Sequence, residues 1–192
     1  MAFDKPIGNA ALAALAILTA SCMTDDAGAG QPDWTSKRTG SVSDMGALDF
    51  RRIVLEGHNE ARAAVGVDPL RWDDTLALQA AVYAEEMART GRFAHSPRES
   101  RAGLGENLWR GTAGSFGPRE AVAAFNAEAR YFRPGAFPDV TTTGKWQDVG
   151  HYTQIIWRTT ERVGCAQATG GGRDYIVCRY DPVGNIAGRQ VP

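Results

Sequence analysis

An α+β layered domain is what the patterning of this chain predicts, and three observations carry the prediction. Apolar residues recur at helical spacing in three separate segments, and two β-rich segments flank a triple-glycine loop near the C-terminus. No internal repeat is present, so 192 residues are expected to build one core and not a stacked array.

The first helix is written in Phe50, Ile53, Val54, Gly57, His58, Ala61 and Val65, which share one face, and Gly66 and Pro69 end it. A second starts at a cap supplied by Asp73 or Asp74, carries Leu76, Ala80, Tyr83 and Met87 on one stripe, and stops at Gly91. Its Glu85-Glu86 pair reads as a solvated edge. A third begins at Gly117-Pro118, with Ala121, Ala124, Phe125 and Phe132 on its buried side. Glu128 falls on that same side, so its carboxylate is expected to point where the apolar residues point.

The β-rich segments are 162–168 and 175–180, around Gly170-Gly171-Gly172. If they pair antiparallel about that loop, the midpoint between Cys165 and Cys178 falls between Gly171 and Gly172. The two cysteines then face each other at about 4.5 to 5.5 Å between Cα atoms, within reach of a bond. A structural disulfide is the expected outcome in an oxidising compartment.

Export is expected from the other end of the chain. Lys5, an apolar run over 10–18 and the small residues Thr19-Ala20-Ser21 before Cys22 read as a signal or lipoprotein signal over 1–22. The run is too short to span a bilayer, which takes about 20 apolar residues. Lipid attachment at Cys22 and cleavage at Ala27-Gly28-Ala29 remain alternatives; either leaves Cys165 and Cys178 as an even pair, in a periplasmic or cell-surface lipoprotein or a secreted protein. Residues 23–47, poor in large apolar side chains, read as a flexible tether, and 48–192 as the domain. A membrane is therefore expected as a partner only through an anchor at Cys22. With 21 Lys and Arg against 22 Asp and Glu, the formal charge of -1 excludes the basic footprint that nucleic acid requires.

Four motifs carry a resemblance. Gly150-His151-Tyr152-Thr153-Gln154-Ile155-Ile156-Trp157-Arg158-Thr159-Thr160 and Tyr175-Ile176-Val177-Cys178-Arg179-Tyr180-Asp181-Pro182-Val183-Gly184-Asn185-Ile186 resemble the two signatures of the CAP superfamily. His58-Asn59-Glu60-Ala61-Arg62 and Gly105-Glu106-Asn107-Leu108 resemble its two lesser motifs, in the family order. That superfamily includes cysteine-rich secretory proteins, insect venom antigens and plant pathogenesis-related proteins of group one. The resemblance implies an α-β-α sandwich with a central antiparallel sheet, a disulfide between Cys165 and Cys178, and helix over 151–159, where Tyr, Thr, Ile and Trp would by themselves favour strand.

It also implies a cleft lined by His95, Glu106, Glu128 and His151. Two imidazoles and two carboxylates can bind zinc or a similar divalent ion, with His95 and His151 as ligands and the glutamates in support. No cofactor is required by the residues themselves. The plainer alternative is that the four groups hydrogen-bond one another and lock the sandwich. His58 repeats with the apolar face of its helix and reads as a satisfied core histidine, with Asn59 and Arg62 anchoring nearby loops. Asp181, Gly184 and Asn185 read as turn chemistry.

Three functions follow as alternatives. The first is a non-enzymatic extracellular binding module for a lipid or other small apolar molecule, or for an extracellular, envelope or host protein. Phe137 and Trp146 could form its apolar lip, on a segment that has no Cys to pin it. The second is a metal-dependent hydrolase with Glu106 or Glu128 as base; no activated nucleophile is evident, since Ser96 beside His95 has no geometry that sequence can assign. The third is a structural envelope protein with an idle pocket.

Overall fold

The computed structural model describes residues 44–192. The expected signal at 1–22, Cys22 and the tether up to residue 43 lie outside the described residues. In chain order the elements are α1 (Asp44–Ala64), β1 (Arg71–Trp72), α2 (Asp74–Thr90), β2 (Gly105–Thr112), α3 (Pro118–Asn126), β3 (Gly135–Ala136), α4 (Gly150–Ile155), β4 (Arg162–Gly170), β5 (Arg173–Asp181) and β6 (Gln190–Val191). Tight 3₁₀ turns occupy Arg98–Arg101, Ala127–Tyr131 and Trp146–Asp148.

Strand β5 sets the layering, because its side chains alternate between two apolar clusters. Tyr175 and Val177 pack with Ala80, Tyr83, Ala84 and Met87 of α2. Ile176, Cys178 and Tyr180 join Val54 and Ala61 of α1, Val122 and Phe125 of α3, and Ile155 of α4. Both faces of the sheet are covered by helices, which makes the α-β-α sandwich expected. The sheet order is β1-β4-β5-β2. β2, β5 and β4 are antiparallel, while β1 joins β4 in parallel over two residues, so the sheet is mixed at that edge. Two residues carry no period, which is why sequence patterning does not reveal β1. A separate two-stranded ladder joins β3 to β6.

Of the two candidate caps on α2, Asp73 is the one used: its Oδ1 accepts the Leu76 N–H at 3.0 Å. Gly91 ends the helix with φ of 71° and its N–H on the Met87 carbonyl at 2.8 Å. The helix lies against β4 because Gly164 and Gly170 have no side chain; a Cβ there would sit 2.2 Å from the Ala77 nitrogen and 2.2 Å from the Ala88 oxygen respectively. The hairpin is longer than its β-rich cores, with Gly171 and Gly172 alone forming the turn at φ of 56° and 73°. Cys165 and Cys178 are register partners and form the disulfide, with Cα atoms 4.1 Å apart.

The third helix departs from expectation. It ends at Asn126, the chain tightens into the 3₁₀ turn Ala127–Tyr131, and Phe132 is extended. Ala124 is exposed, and Val122 takes the buried place beside Ala121 and Phe125. The reason is the crossing with α1: Val122 fills the space over Gly57, whose Cβ would lie 2.8 Å from it, and Asn126 Nδ2 donates to the Gly57 carbonyl at 2.8 Å.

Arg62 clasps the helical layer. Its buried guanidinium donates to the carbonyls of Ile155, Trp157 and Thr160 at 2.8, 2.8 and 3.0 Å, so the end of α1 holds the end of α4. Asn59 exchanges two hydrogen bonds with the Leu70 backbone. Both residues anchor loops as expected. His58 is fully buried and satisfied: Nδ1–H donates to the Val54 carbonyl at 2.7 Å, and Nε2 accepts from the Tyr180 hydroxyl at 2.8 Å. Burial lowers its pKa from 6.5 to about 4, with the Arg62 charge adding to the effect and the Val54 bond opposing it.

Candidate functional site

The site is built on β2, an edge strand whose alternate residues serve opposite faces of the sheet. Glu106 and Leu108 point to the α2 side, whereas Asn107 points to the α1 and α4 side. Two imidazole–carboxylate pairs result, one on each side.

On the α2 side, His95 Nδ1 lies 2.6 Å from Glu106 Oε1, which also accepts the Ser96 N–H at 3.0 Å. The Glu106 side chain is fully buried, and its other oxygen faces the Arg179 guanidinium at 3.2 Å. Burial would raise the Glu106 pKa, but the His95 bond, the Arg179 charge and the Ser96 N–H outweigh it and hold the carboxyl below its ordinary value. The Arg179 contact is an ion pair without hydrogen-bond alignment. Glu106 Oε2, Arg179 Nε and Nη1, and the Ser96 hydroxyl are buried with no hydrogen-bond partner among the described residues. Arg179 also stacks over the Tyr83 ring at 5.6 Å.

On the other side, His151 Nδ1 lies 2.6 Å from Glu128 Oε1, and Glu128 Oε2 accepts the backbone N–H groups of His151 and Tyr152 at 2.9 and 3.1 Å. The His151 ring stacks on Phe125 with centroids 4.7 Å apart. Asn107 braces this side, donating through Nδ2 to the His151 carbonyl at 3.1 Å and to the Tyr180 hydroxyl at 3.0 Å. The Tyr180 hydroxyl in turn donates to His58, so a neutral hydrogen-bonded chain runs from His151 to α1.

An ionised carboxylate can only accept, so each imidazole carries a proton on Nδ1, and the neutral ring then keeps its lone pair on Nε2. His95, Glu106 and His151 line one cleft of about 990 Å³. Glu128 stands behind His151 and does not line it. The donor set therefore offers two imidazole nitrogens, with the carboxylates orienting them from behind. A different trio has donor atoms within 4.8 Å of one another: His58, Cys165 and Cys178. It is no metal site, because the sulfurs are bonded to each other and both His58 nitrogens are engaged.

Sequence reasoning overlooked Asn107, Arg179 and Gln154. Gln154 and Thr153 join the two long signature segments: the Gly184 N–H donates to Gln154 Oε1 at 2.9 Å, and the Thr153 hydroxyl donates to Asn185 Oδ1 at 2.7 Å. Asn185 Nδ2 donates to the Gly150 carbonyl at 2.8 Å. Gly184 leaves no room for a side chain, since a Cβ would lie 2.8 Å from both Gln154 and Trp157. The turn after β5 is thus docked on α4, beyond the plain turn role expected of Gly184 and Asn185. Phe137 and Trp146 pack edge to face at 5.3 Å on the cleft wall.

Interlocked signature segments on an α-β-α sandwich define a CAP domain, and the chain belongs to the CAP family, the Cysteine-rich secretory protein family, which matches residues 55–180. Pathogenesis-related protein 1C of Nicotiana tabacum is 40% identical over 144 residues, covering 74% of this chain and 81% of that protein. Pathogenesis-related protein 1 of Arabidopsis thaliana is 36% identical over 150 residues, covering 78% and 86%. Among solved structures, the crystal structure of NaASP2 with Zn2+ is similar at a TM-score of 0.62 and 26% identity, covering 73% of this chain and 83% of that one.

Proposed function

We propose that this chain is an exported, non-enzymatic binding module whose cleft takes a small ligand with an apolar part. One observation carries the reading: the same cleft presents two imidazoles held in fixed orientation and an aromatic rim in which Trp146 stays 40% exposed. A large aromatic left half in water beside oriented polar groups suits ligand capture. The disulfide and the family's secretory description support export. Against hydrolysis by a side-chain nucleophile, the Ser96 hydroxyl beside His95 is buried and does not line the cleft.

His95 and His151 would also hold a divalent ion through Nε2. Carboxylates on both Nδ1 atoms support this, as does the solution of the similar NaASP2 with Zn2+. When bound, such an ion would supply Lewis acidity in the cleft. Glu106 and Glu128 keep the imidazoles in the tautomer that frees Nε2, and Asn107 holds the His151 backbone in place.

Native mass spectrometry of the protein purified from its own host tests the reading and, in the same spectrum, the modification of Cys22. The expected result is a small non-covalent adduct that is lost in Trp146→Ala at unchanged fold. Adduct-free protein that turns over esters, peptides or glycans, and loses that turnover in His151→Ala, would favour the hydrolase instead. A His95→Ala, His151→Ala double variant with full function in cells would favour a structural role.

A further inference from the structure

The chain as a whole carries a formal charge of -1, yet its cleft does not share that balance. Arg98, Arg101, His95 and His151 line it, against one acid, Glu106. That acid is already committed to His95, Ser96 and Arg179 and reaches Arg101 only at 3.8 Å from Nε, so its one charge is shared among several cations and Arg98 has no acidic partner on the wall.

The two arginines are placed by the backbone. They begin and end the 3₁₀ turn Arg98–Arg101, and at three residues per turn the side chains at i and i+3 eclipse. Arg98 and Arg101 therefore project on one side of the turn, whereas Glu99 projects on another and does not line the cleft. Arg101 is held in position: Nε donates to the Ser96 carbonyl at 3.1 Å and Nη1 reaches the Leu104 carbonyl at 3.5 Å. Its Nη2 has no partner among the described residues. Arg98 makes no hydrogen bond or ion pair among them either, and stands exposed.

We infer that the cleft is selective for an anion: Arg98 and Arg101 together hold a carboxylate or phosphate head, and the apolar remainder of the same ligand lies against Trp146. A pair of guanidinium groups on one wall matches the fork geometry of either oxyanion. This assignment rests on the binding-module reading and gives it a ligand chemistry.

Calorimetric titration of the full chain with probes of one chain length tests it: decyl phosphate, decanoate, decanol and decyltrimethylammonium, each below its micelle concentration, and inorganic phosphate alone. Decyl phosphate and decanoate are expected to bind at least about tenfold more tightly than decanol, a difference of about 1.4 kcal/mol. The ammonium probe is expected not to bind. Inorganic phosphate should bind more weakly than decyl phosphate and compete with it. Arg98→Gln, which removes no hydrogen bond or ion pair among the described residues, should weaken decyl phosphate about tenfold while leaving decanol and the thermal midpoint unchanged. Raising the salt to about 1 M, where screening acts over about 3 Å, should erase much of the advantage of the anions. Equal affinity for decanol and decyl phosphate would overturn the anion assignment while leaving the binding reading intact. Phosphate binding as tightly as its decyl ester would overturn the apolar half. No binding by any probe would overturn both readings.

Discussion

The two imidazoles make the same bond by different means. Each has Nδ1 2.6 Å from a glutamate oxygen, yet His95 is backed by a buried ion pair and His151 by backbone amides and a neutral hydrogen-bonded chain. Glu106 is sealed from solvent with its second oxygen against Arg179, whereas Glu128 keeps 19% of its side chain exposed and satisfies its second oxygen with two N–H groups. The difference separates fold from orientation. On the His95 side the orienting carboxylate also neutralises a cation inside the protein; on the His151 side the orienting carboxylate is close to a pure positioning group.

The largest effect follows from breaking the ion-backed side. Glu106→Gln leaves the Arg179 guanidinium buried and uncompensated, and is expected to cost about 3 to 5 kcal/mol in denaturant unfolding. Arg179→Met should cost less, because Glu106 loses the cation at Oε2 but keeps the His95 and Ser96 bonds and the Arg101 charge at Oε1. The double variant Glu106→Leu, Arg179→Met should recover most of the loss, because neither charge then remains inside. A loss below about 1 kcal/mol for Glu106→Gln would mean that solvent screens the pair.

The neutral side should reveal itself through pH. His58, at the far end of the chain from His151, has its pKa lowered from 6.5 to about 4, mainly by burial. The unfolded chain therefore takes up this proton as pH falls through 6.5, while the folded chain resists until about 4. Stability from this group is full above the upper value and is lost progressively across that window, by on the order of 3 kcal/mol. Urea unfolding at a series of pH values reads the slope. His58→Gln should lower stability at neutral pH but remove this part of the slope. An unchanged slope in the variant would show that the proton is taken up elsewhere.

Which parts of this arrangement could be read from sequence depends on how local their cause is. The α2 stripe, its Asp73 and Gly91 caps and the Gly171-Gly172 turn are set by residues within a few positions, and the Cys165–Cys178 pairing follows once the turn is placed. β2 showed no strand signal because the site breaks its pattern: Glu106 and Asn107 are both polar and both buried, on opposite faces. Arg179 was detectable in principle. Period two along β5 places it with Tyr175 and Val177, and an arginine in that buried row demands an acid opposite, which the register supplies as Glu106. Glu128 illustrates the reverse, for its inward direction was anticipated on a helix that stops two residues earlier. Its carboxylate still reaches His151, because the 3₁₀ turn continues the chain along the same wall.

The smallest change in stability should be the most informative about the cleft. Glu128→Gln preserves shape but retains only one acceptor oxygen for the His151 and Tyr152 amides and the imidazole, at an expected cost of about 1 to 2 kcal/mol. Its effect on His151 should be larger than that figure suggests. The new amide nitrogen can donate to Nδ1, which moves the imidazole proton to Nε2 and removes the lone pair that the carboxylate had kept facing the cleft. Nitrogen NMR of the neutral imidazole distinguishes the two tautomers directly. Wild-type His151 is expected as the Nδ1–H form, and Glu128→Gln as a mixture or the Nε2–H form, with His95 unaltered. If the tautomer does not move, backbone and Phe125 stacking are sufficient to orient His151. The contrast between an ion-backed and an amide-backed imidazole would then reduce to one of stability alone.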